Sequence, residues 1–252
     1  MDFDFPIIVL EQTDSTSRYL SSLCEEQHDQ LGLFTTVRAE FQSAGKGQRG
    51  NSWESEAGKN LTFSFVLYPE SLPAKRQFVI SQVVSLGIVQ VLQSYQADGF
   101  SVKWPNDIYY LDKKICGILI EVYLQGMNLG RCVCGVGINI NQDYFLSDAP
   151  NPISLCQIVG REVNREELLQ QVLSEIRKLY LQLLGGGEQV VIELSDLYFQ
   201  HLYRKEGYYR YKDAQGEFMA KLVKVGLDGR LFLEDKERLL RSYLFKEVQY
   251  II

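Results

Sequence analysis

What most restricts the fold is the run Gly45-Lys46-Gly47-Gln48-Arg49-Gly50-Asn51-Ser52-Trp53 and the segments on either side of it. Its glycines match G-x-G-x-x-G, the spacing of a dinucleotide-binding turn. That turn needs a strand before it and an amphipathic helix opening at its end. Here residues 51–60 are polar, contain Gly58 and show no apolar helical face. Beyond them, Leu61–Tyr68 reads as a strand, with Leu61, Phe63, Phe65 and Leu67 on one face. Upstream, Leu33–Phe41 is also strand-like. The loop therefore joins two strands, and the dinucleotide fold is set aside. What remains is a flexible basic loop able to face a phosphate, or a solvated surface turn.

Charge narrows the partners. At 252 residues with a net charge of −6, the chain is long enough for one large domain or two unequal ones. Its acidity argues against sequence-independent nucleic-acid binding and leaves room for a local basic pocket. Met1-Asp2-Phe3-Asp4-Phe5-Pro6 has no cationic start, so no signal peptide is expected. The apolar stretch Val83–Leu92 is interrupted by Ser85 and Gln90 and is too short to span a bilayer. A cytoplasmic chain with no membrane partner is the expectation. Cys24, Cys116, Cys132, Cys134 and Cys156 are odd in number and irregularly spaced, which suits buried thiols better than disulfides or a metal site. With only His28 and His201, histidine acid–base chemistry is not expected.

Along the chain, Ile7–Leu10 reads as a strand. Asp14 or Ser15 then caps a helix carrying Tyr19, Leu20, Leu23 and Cys24. The Asp14-Ser15-Thr16 hydroxyls are either a plain cap or spare groups for a polar ligand. Pro73 starts a buried helix over Ala74–Gln96. Around Pro105 the chain must turn or sit at a sheet edge. Ile115–Val122 and Arg131–Ile140 continue an antiparallel meander. Gly135 and Gly137 share one face of the last strand, marking a close approach. Asn164 and Glu167 start a helix that ends at Gly185-Gly186-Gly187, and another follows across Val190–Tyr203. Tyr208–Lys212, Glu217–Val225, Arg230–Leu233, Leu239–Leu244 and Glu247–Ile252 are short strands that suggest a small barrel leaning on the larger part.

Three runs taken together are specific: the glycine loop, Lys103-Trp104-Pro105-Asn106-Asp107, and Lys114-Ile115-Cys116-Gly117-Ile118-Leu119-Ile120-Glu121. With Asp14-Ser15-Thr16 upstream and Gly135-Val136-Gly137-Ile138-Asn139 downstream, they resemble the biotin–protein ligases in order and spacing. The resemblance covers residues 10–200 and extends to the C-terminal barrel. It implies an α/β (α+β) catalytic domain over 1–204, with a mixed sheet and helices like class II aminoacyl-tRNA synthetases. An SH3-like β-barrel over 205–252 would follow. It also implies an ATP-dependent, two-step reaction. Biotin becomes biotinyl-5′-AMP, and a lysine of a biotin carboxyl carrier protein or domain then takes the biotinyl group.

By motif position, Lys114 would be the main catalytic residue, contacting the biotin carboxyl and the phosphate, with Lys46 and Arg49 beside it. Ser15, Thr16, Ser17, Gln42, Lys46, Gly47, Gln48, Lys114, Gly117 and Gly137 would hold biotin. Arg49, Asn51, Trp53, Lys103, Asn106, Asp107 and Asn139 look like the ATP side. Trp53 and Trp104 could equally be core aromatics, and core suits Trp104 better. Mg²⁺ would ride on the ATP phosphates, with Asp107 near and no dedicated protein metal site. A carboxylate attacking a phosphate brings two anions together, so fixed cations and N–H groups do the chemistry.

Two departures stand out. Relatives carry arginine where this chain has Lys46 and Gln48, so faster escape of the adenylate is expected. The first strand begins within ten residues of Met1, so no DNA-reading helix-turn-helix is expected. Either a monomer or a homodimer is compatible with the resemblance. The alternatives are a lipoate/octanoate–protein ligase of the same fold, which would lack the Lys103–Asp107 run, and a nonenzymatic adenylate sensor, which would have lost the reactive cations.

Overall fold

Two antiparallel-rich sheets share one main hydrophobic core, and a smaller cluster lies beneath the helix that carries Leu20 and Cys24. The computed structural model describes residues 5–27, 30–47, 52–146 and 151–252. The first sheet has seven strands: β1 (Ile7–Thr13), β2 (Thr36–Gln42), β3 (Leu61–Leu67), β4 (Phe100–Lys103), β5 (Asp107–Tyr110), β6 (Lys113–Gln125) and β7 (Asn128–Ile138). Their spatial order is β1-β2-β3-β7-β6-β5-β4. Only β1 and β2 run parallel, joined by helix α1 (Thr16–Glu26) as a crossover; the remaining neighbours are antiparallel. Placing β4 at the edge accommodates Pro105, which has no N–H to give a ladder. Trp104-Pro105-Asn106 forms the turn between β4 and β5, with a cis Trp104–Pro105 bond.

The expected alternation of β3 holds, and both of its faces are buried. Leu61, Phe63, Phe65 and Leu67 enter the main core with α2 (Phe78–Tyr95) and α4 (Arg165–Gly185), while Val66 joins Leu20 and Cys24 of α1 on the opposite face. Even-numbered residues of β7 from Cys132 to Ile138 face the large helices, leaving Val133, Gly135 and Gly137 on the α1 side. The segment Ala74–Tyr95 is long and apolar enough to cross a membrane by composition, but 72% of its apolar window is buried inside the fold, so it is a core helix. Its first residues, Ala74–Arg76, form a 3-10 turn rather than the expected start of the α-helix. Strand β2 also starts later than its composition suggests, because Phe34 takes a positive φ of 63° and turns its ring into the core. Asn164 caps α4 as expected, accepting from the N–H groups of Glu166 and Glu167.

Helix α3 (Leu155–Val159) precedes α4, and α5 (Gly187–Gln200) follows directly from the glycine run. The second sheet comprises β8 (Tyr209–Asp213), β9 (Gly216–Val225), β10 (Leu231–Asp235), β11 (Leu240–Tyr243) and β12 (Gln249–Tyr250), ordered β11-β10-β9-β8-β12 and antiparallel throughout. It docks on the turn between β4 and β5. Trp104 Nε1 donates to Gly229 O at 2.9 Å, and the Trp104 ring lies 5.9 Å from Phe245. Trp104 is thus a buried core aromatic. Arg204 Nη1 donates to Ile251 O at 2.8 Å and ties down the C-terminal end.

Candidate active site

The α1-side face of the first sheet opens into a cleft of about 1140 Å³. Its floor follows from register. Thr62 of β3, Gly137 of β7 and Gly117 of β6 form one cross-strand row, and Ser64, Gly135 and Leu119 form the next. Two adjacent glycines in the first row leave the sheet without side chains there, so a flat group can lie against backbone. The Trp53 indole takes that place: a Cβ on Gly137 would stand 2.3 Å from Trp53 Cε2, and one on Gly117 3.1 Å from Cζ3. The loop returning from β2 delivers this ring through a short pairing of Lys46 with Ser52 and a bond from Trp53 N to Gly45 O of 2.9 Å.

One end of the cleft is neutral. Ser15 sits at the N-cap of α1, yet its side chain makes no capping bond. The Thr16 N–H is satisfied instead by Gln42 Oε1 at 2.8 Å, from the end of β2. Thr16 Oγ also donates to Gln42 Oε1 (3.0 Å) and contacts Ser64 Oγ at 2.8 Å; Ser17 Oγ lies 3.0 Å from the same Ser64 Oγ. Gly135 makes space for Ser17, whose Oγ would be 2.4 Å from an added Cβ. Ser64 was not singled out by sequence. The alternation of β3 shows which residues oppose the core, but not that Ser64 meets helix α1.

The other end is charged. Lys114 Nζ pairs with Asp107 Oδ1 at 2.8 Å and lies 5.7 Å from the Trp53 ring centroid. Lys103 Nζ lies over two rings, Tyr109 at 5.0 Å and Tyr250 of the second sheet at 5.2 Å. Burial is the main cause that lowers the Lys103 pKa; nearby Lys114 and Arg204 add to it and Asp107 opposes it. Among the described residues the wall carries Lys46, Lys103, Lys114 and Lys246 against Glu54 and Asp107, a local excess of positive charge on an acidic chain. Phe245, Lys246, Val248, Gln249 and Tyr250 near the C-terminal end contribute to this wall, which the strand pattern of the sequence could not reveal.

Ser15, Thr16, Ser17, Gln42, Lys46, Gly47, Trp53, Lys103, Asn106, Asp107, Lys114, Gly117, Gly137 and Asn139 all border this cleft. Gln48, Arg49 and Asn51 lie outside the described residues. Three placements refine the expected roles. Trp53 lies on the glycine floor assigned to biotin, with its ring centroid 5.7 Å from Lys114 Nζ. Asn106 donates its amide to Ile118 O, and Asn139 donates to Ile153 O at 3.2 Å, so both brace the backbone at the cleft. Burial raises the Cys132 thiol to about 12 and pushes those of Cys116 and Cys134 up as well. His201 ends α5 with Nδ1 2.9 Å from Leu197 O, outside the residues that line the cleft. Among the described residues no three His, Cys, Asp or Glu side chains converge as a metal-binding group.

Comparison with known proteins gives a consistent result. The profile described as the biotin/lipoate A/B protein ligase family matches residues 9–139. The bifunctional ligase/repressor BirA of Bacillus spizizenii is 27% identical over 214 residues, 83% of this chain and 64% of that protein. BirA of Salmonella typhimurium is 35% identical over 173 residues, 68% of this chain and 52% of that one. The chain thus spans 64% and 52% of the length of these two curated relatives. Among solved structures, the biotin protein ligase from Aquifex aeolicus in complex with biotin and ATP superposes with a TM-score of 0.79 at 25% identity, covering 99% of this chain and 100% of that one.

Proposed function

Because the chain belongs to the biotin/lipoate A/B protein ligase family, we propose that it is a biotin–protein ligase that makes biotinyl-5′-AMP from biotin and ATP and passes the biotinyl group to a carrier-domain lysine. The observation that carries this reading is the cleft's division: a neutral hydroxyl end and a bare glycine floor lead to an ion-paired Lys114. The fused rings of biotin lie on Gly117 and Gly137 once Trp53 moves aside, with the ureido group toward Thr16 and Ser17. The carboxylate then reaches Lys114. One carboxylate oxygen attacks the α-phosphorus of ATP, and pyrophosphate leaves. Lys114 neutralises the approaching anions, and Asp107 fixes its ammonium at 2.8 Å. Lys103 supplies a second cation toward the nucleotide. In the second step the acceptor amine attacks the acyl carbon, AMP leaves, and an amide forms.

Magnesium neutralises charge on the ATP phosphates when bound, and Asp107, engaged by Lys114 through Oδ1, is the wall carboxylate suited to it. The acceptor is a lysine of a biotin carboxyl carrier domain, and the site of action is cytoplasmic. The test is direct. Protein, ATP, magnesium and biotin should yield pyrophosphate and the mass of biotinyl-adenylate. Product with lipoate and none with biotin would sink this reading in favour of a lipoate ligase.

A further inference from the structure

The hydroxyl end of the cleft permits one arrangement of hydrogens. The Thr16 backbone N–H can only donate, so the Gln42 atom 2.8 Å away is the amide oxygen. Thr16 Oγ, 3.0 Å from that oxygen, must therefore spend its hydrogen on it. The Thr16–Ser64 contact of 2.8 Å then holds a hydrogen only if Ser64 donates. With the Ser64 hydrogen committed, the 3.0 Å contact to Ser17 is filled only if Ser17 donates. Three hydroxyl hydrogens thus run one way, from Ser17 to Ser64 to Thr16 to Gln42. Ser17, Thr16 and Ser64 are 5%, 3% and 0% exposed, so bulk water does not compete to reorder them. Gly135 lets Ser17 stand within this chain.

We propose that Ser64 is a specificity-determining positioning residue: by taking the Ser17 hydrogen and giving its own to Thr16, it makes Ser17 Oγ an obligate acceptor for a ligand N–H. Gln42, with its oxygen committed to Thr16, turns its Nε2 toward Gly45, where an added Cβ would lie 3.2 Å away. It can serve there only as a donor. A wall with a fixed acceptor and a fixed donor suits a cyclic urea, which carries N–H groups beside a carbonyl. A hydroxyl that could rotate would accept either polarity; a locked one rejects a ligand lacking the N–H, because a buried acceptor would be left unpaired. This inference rests on the biotin-ligase reading and assigns a role to a residue outside the biotin- and ATP-contact sets.

The experiment compares wild type with Ser64→Ala on biotin and on the two biotins methylated at one ureido nitrogen, using pyrophosphate release and calorimetric binding. In wild type, one N-methyl isomer should be disfavoured relative to biotin by about tenfold or more, the order expected for one buried hydrogen bond. In Ser64→Ala the biotin KM should rise by about tenfold. The ATP KM and kcat should hold within about twofold, and discrimination between biotin and that isomer should collapse toward parity. An unchanged biotin KM with unchanged discrimination overturns the role of Ser64. So does an ATP KM that rises in step with the biotin KM, since that signals general distortion. Wild type that neither binds biotin nor releases pyrophosphate overturns the ligase reading itself, and this proposal with it. Should Ser64→Ala fail to fold, Ser64→Cys keeps the side-chain volume with a weak donor and acceptor and is scored by the same discrimination ratio.

Discussion

At the Thr16 end of the cleft, three hydroxyls share three hydrogens and carry no charge, whereas at the Lys114 end two lysines and a carboxylate meet within a wall of tyrosines. The first end is held inside one sheet and its crossover helix. The second is assembled from distant pieces, since Tyr250 comes from the second sheet. Neutral hydrogen bonds lose most when geometry or polarity is wrong. Charge reaches further and tolerates small displacements, but salt screens it. In the proposed ligase reading, the neutral end would choose the ligand and the charged end would drive the reaction.

The largest break of this division should come from Lys114→Ala. Removing the cation where charge develops is expected to cut adenylate formation by about 10²–10³-fold while biotin still binds, measured by pyrophosphate release against calorimetry. Next is Gly137→Val, which crowds the floor between the two ends. Overpacking of this kind costs about 1–3 kcal/mol, so the biotin KM should rise by about 5- to 150-fold, with a smaller change for ATP.

Lys103→Met should raise the ATP KM by about tenfold and leave biotin affinity alone. Its melting temperature should not fall, because a desolvated ammonium is removed from an aromatic wall. The same residue sets a pH dependence. Burial lowers its pKa, so the ammonium is lost at a lower pH than for an exposed lysine. ATP-dependent turnover should fall on the alkaline side before an ordinary lysine would titrate, and Lys103→Arg should move that limb upward. The smallest effect is expected at the loop. Gln48→Arg should slow release of the adenylate severalfold, read by stopped-flow displacement, and an unchanged rate would count against a missing phosphate contact there.

Much of this is legible in the sequence. The glycine loop between two strands, the edge turn at Pro105 and the paired glycines of β7 each follow from a local rule of backbone chemistry, and each lies where that rule put it. Lys114 stood out only because three separated runs occurred in a familiar order. What remained hidden depends on contacts between distant segments. Ser64 looks like any outward polar residue of an alternating strand until α1 is laid over it. Tyr250 sits near the end of the chain and gives no sign that its ring backs Lys103. Trp53 could be placed near the site but not on its floor, because nothing in a loop sequence fixes where its one large ring comes to rest.

That resting place has an optical consequence. The chain has two tryptophans, and they occupy opposite circumstances. Trp104 is 5% exposed and hydrogen-bonded to Gly229 across the junction between the sheets, so its emission should report whether the C-terminal sheet is seated. Trp53 is only partly buried, its Nε1 has no hydrogen-bond partner among the described residues, and it lies against the glycines of the proposed biotin floor. Its emission should shift as that space is taken. With Trp104→Phe leaving one emitter and Trp53→Phe the other, a single unlabelled protein carries separate lamps for assembly and for occupancy.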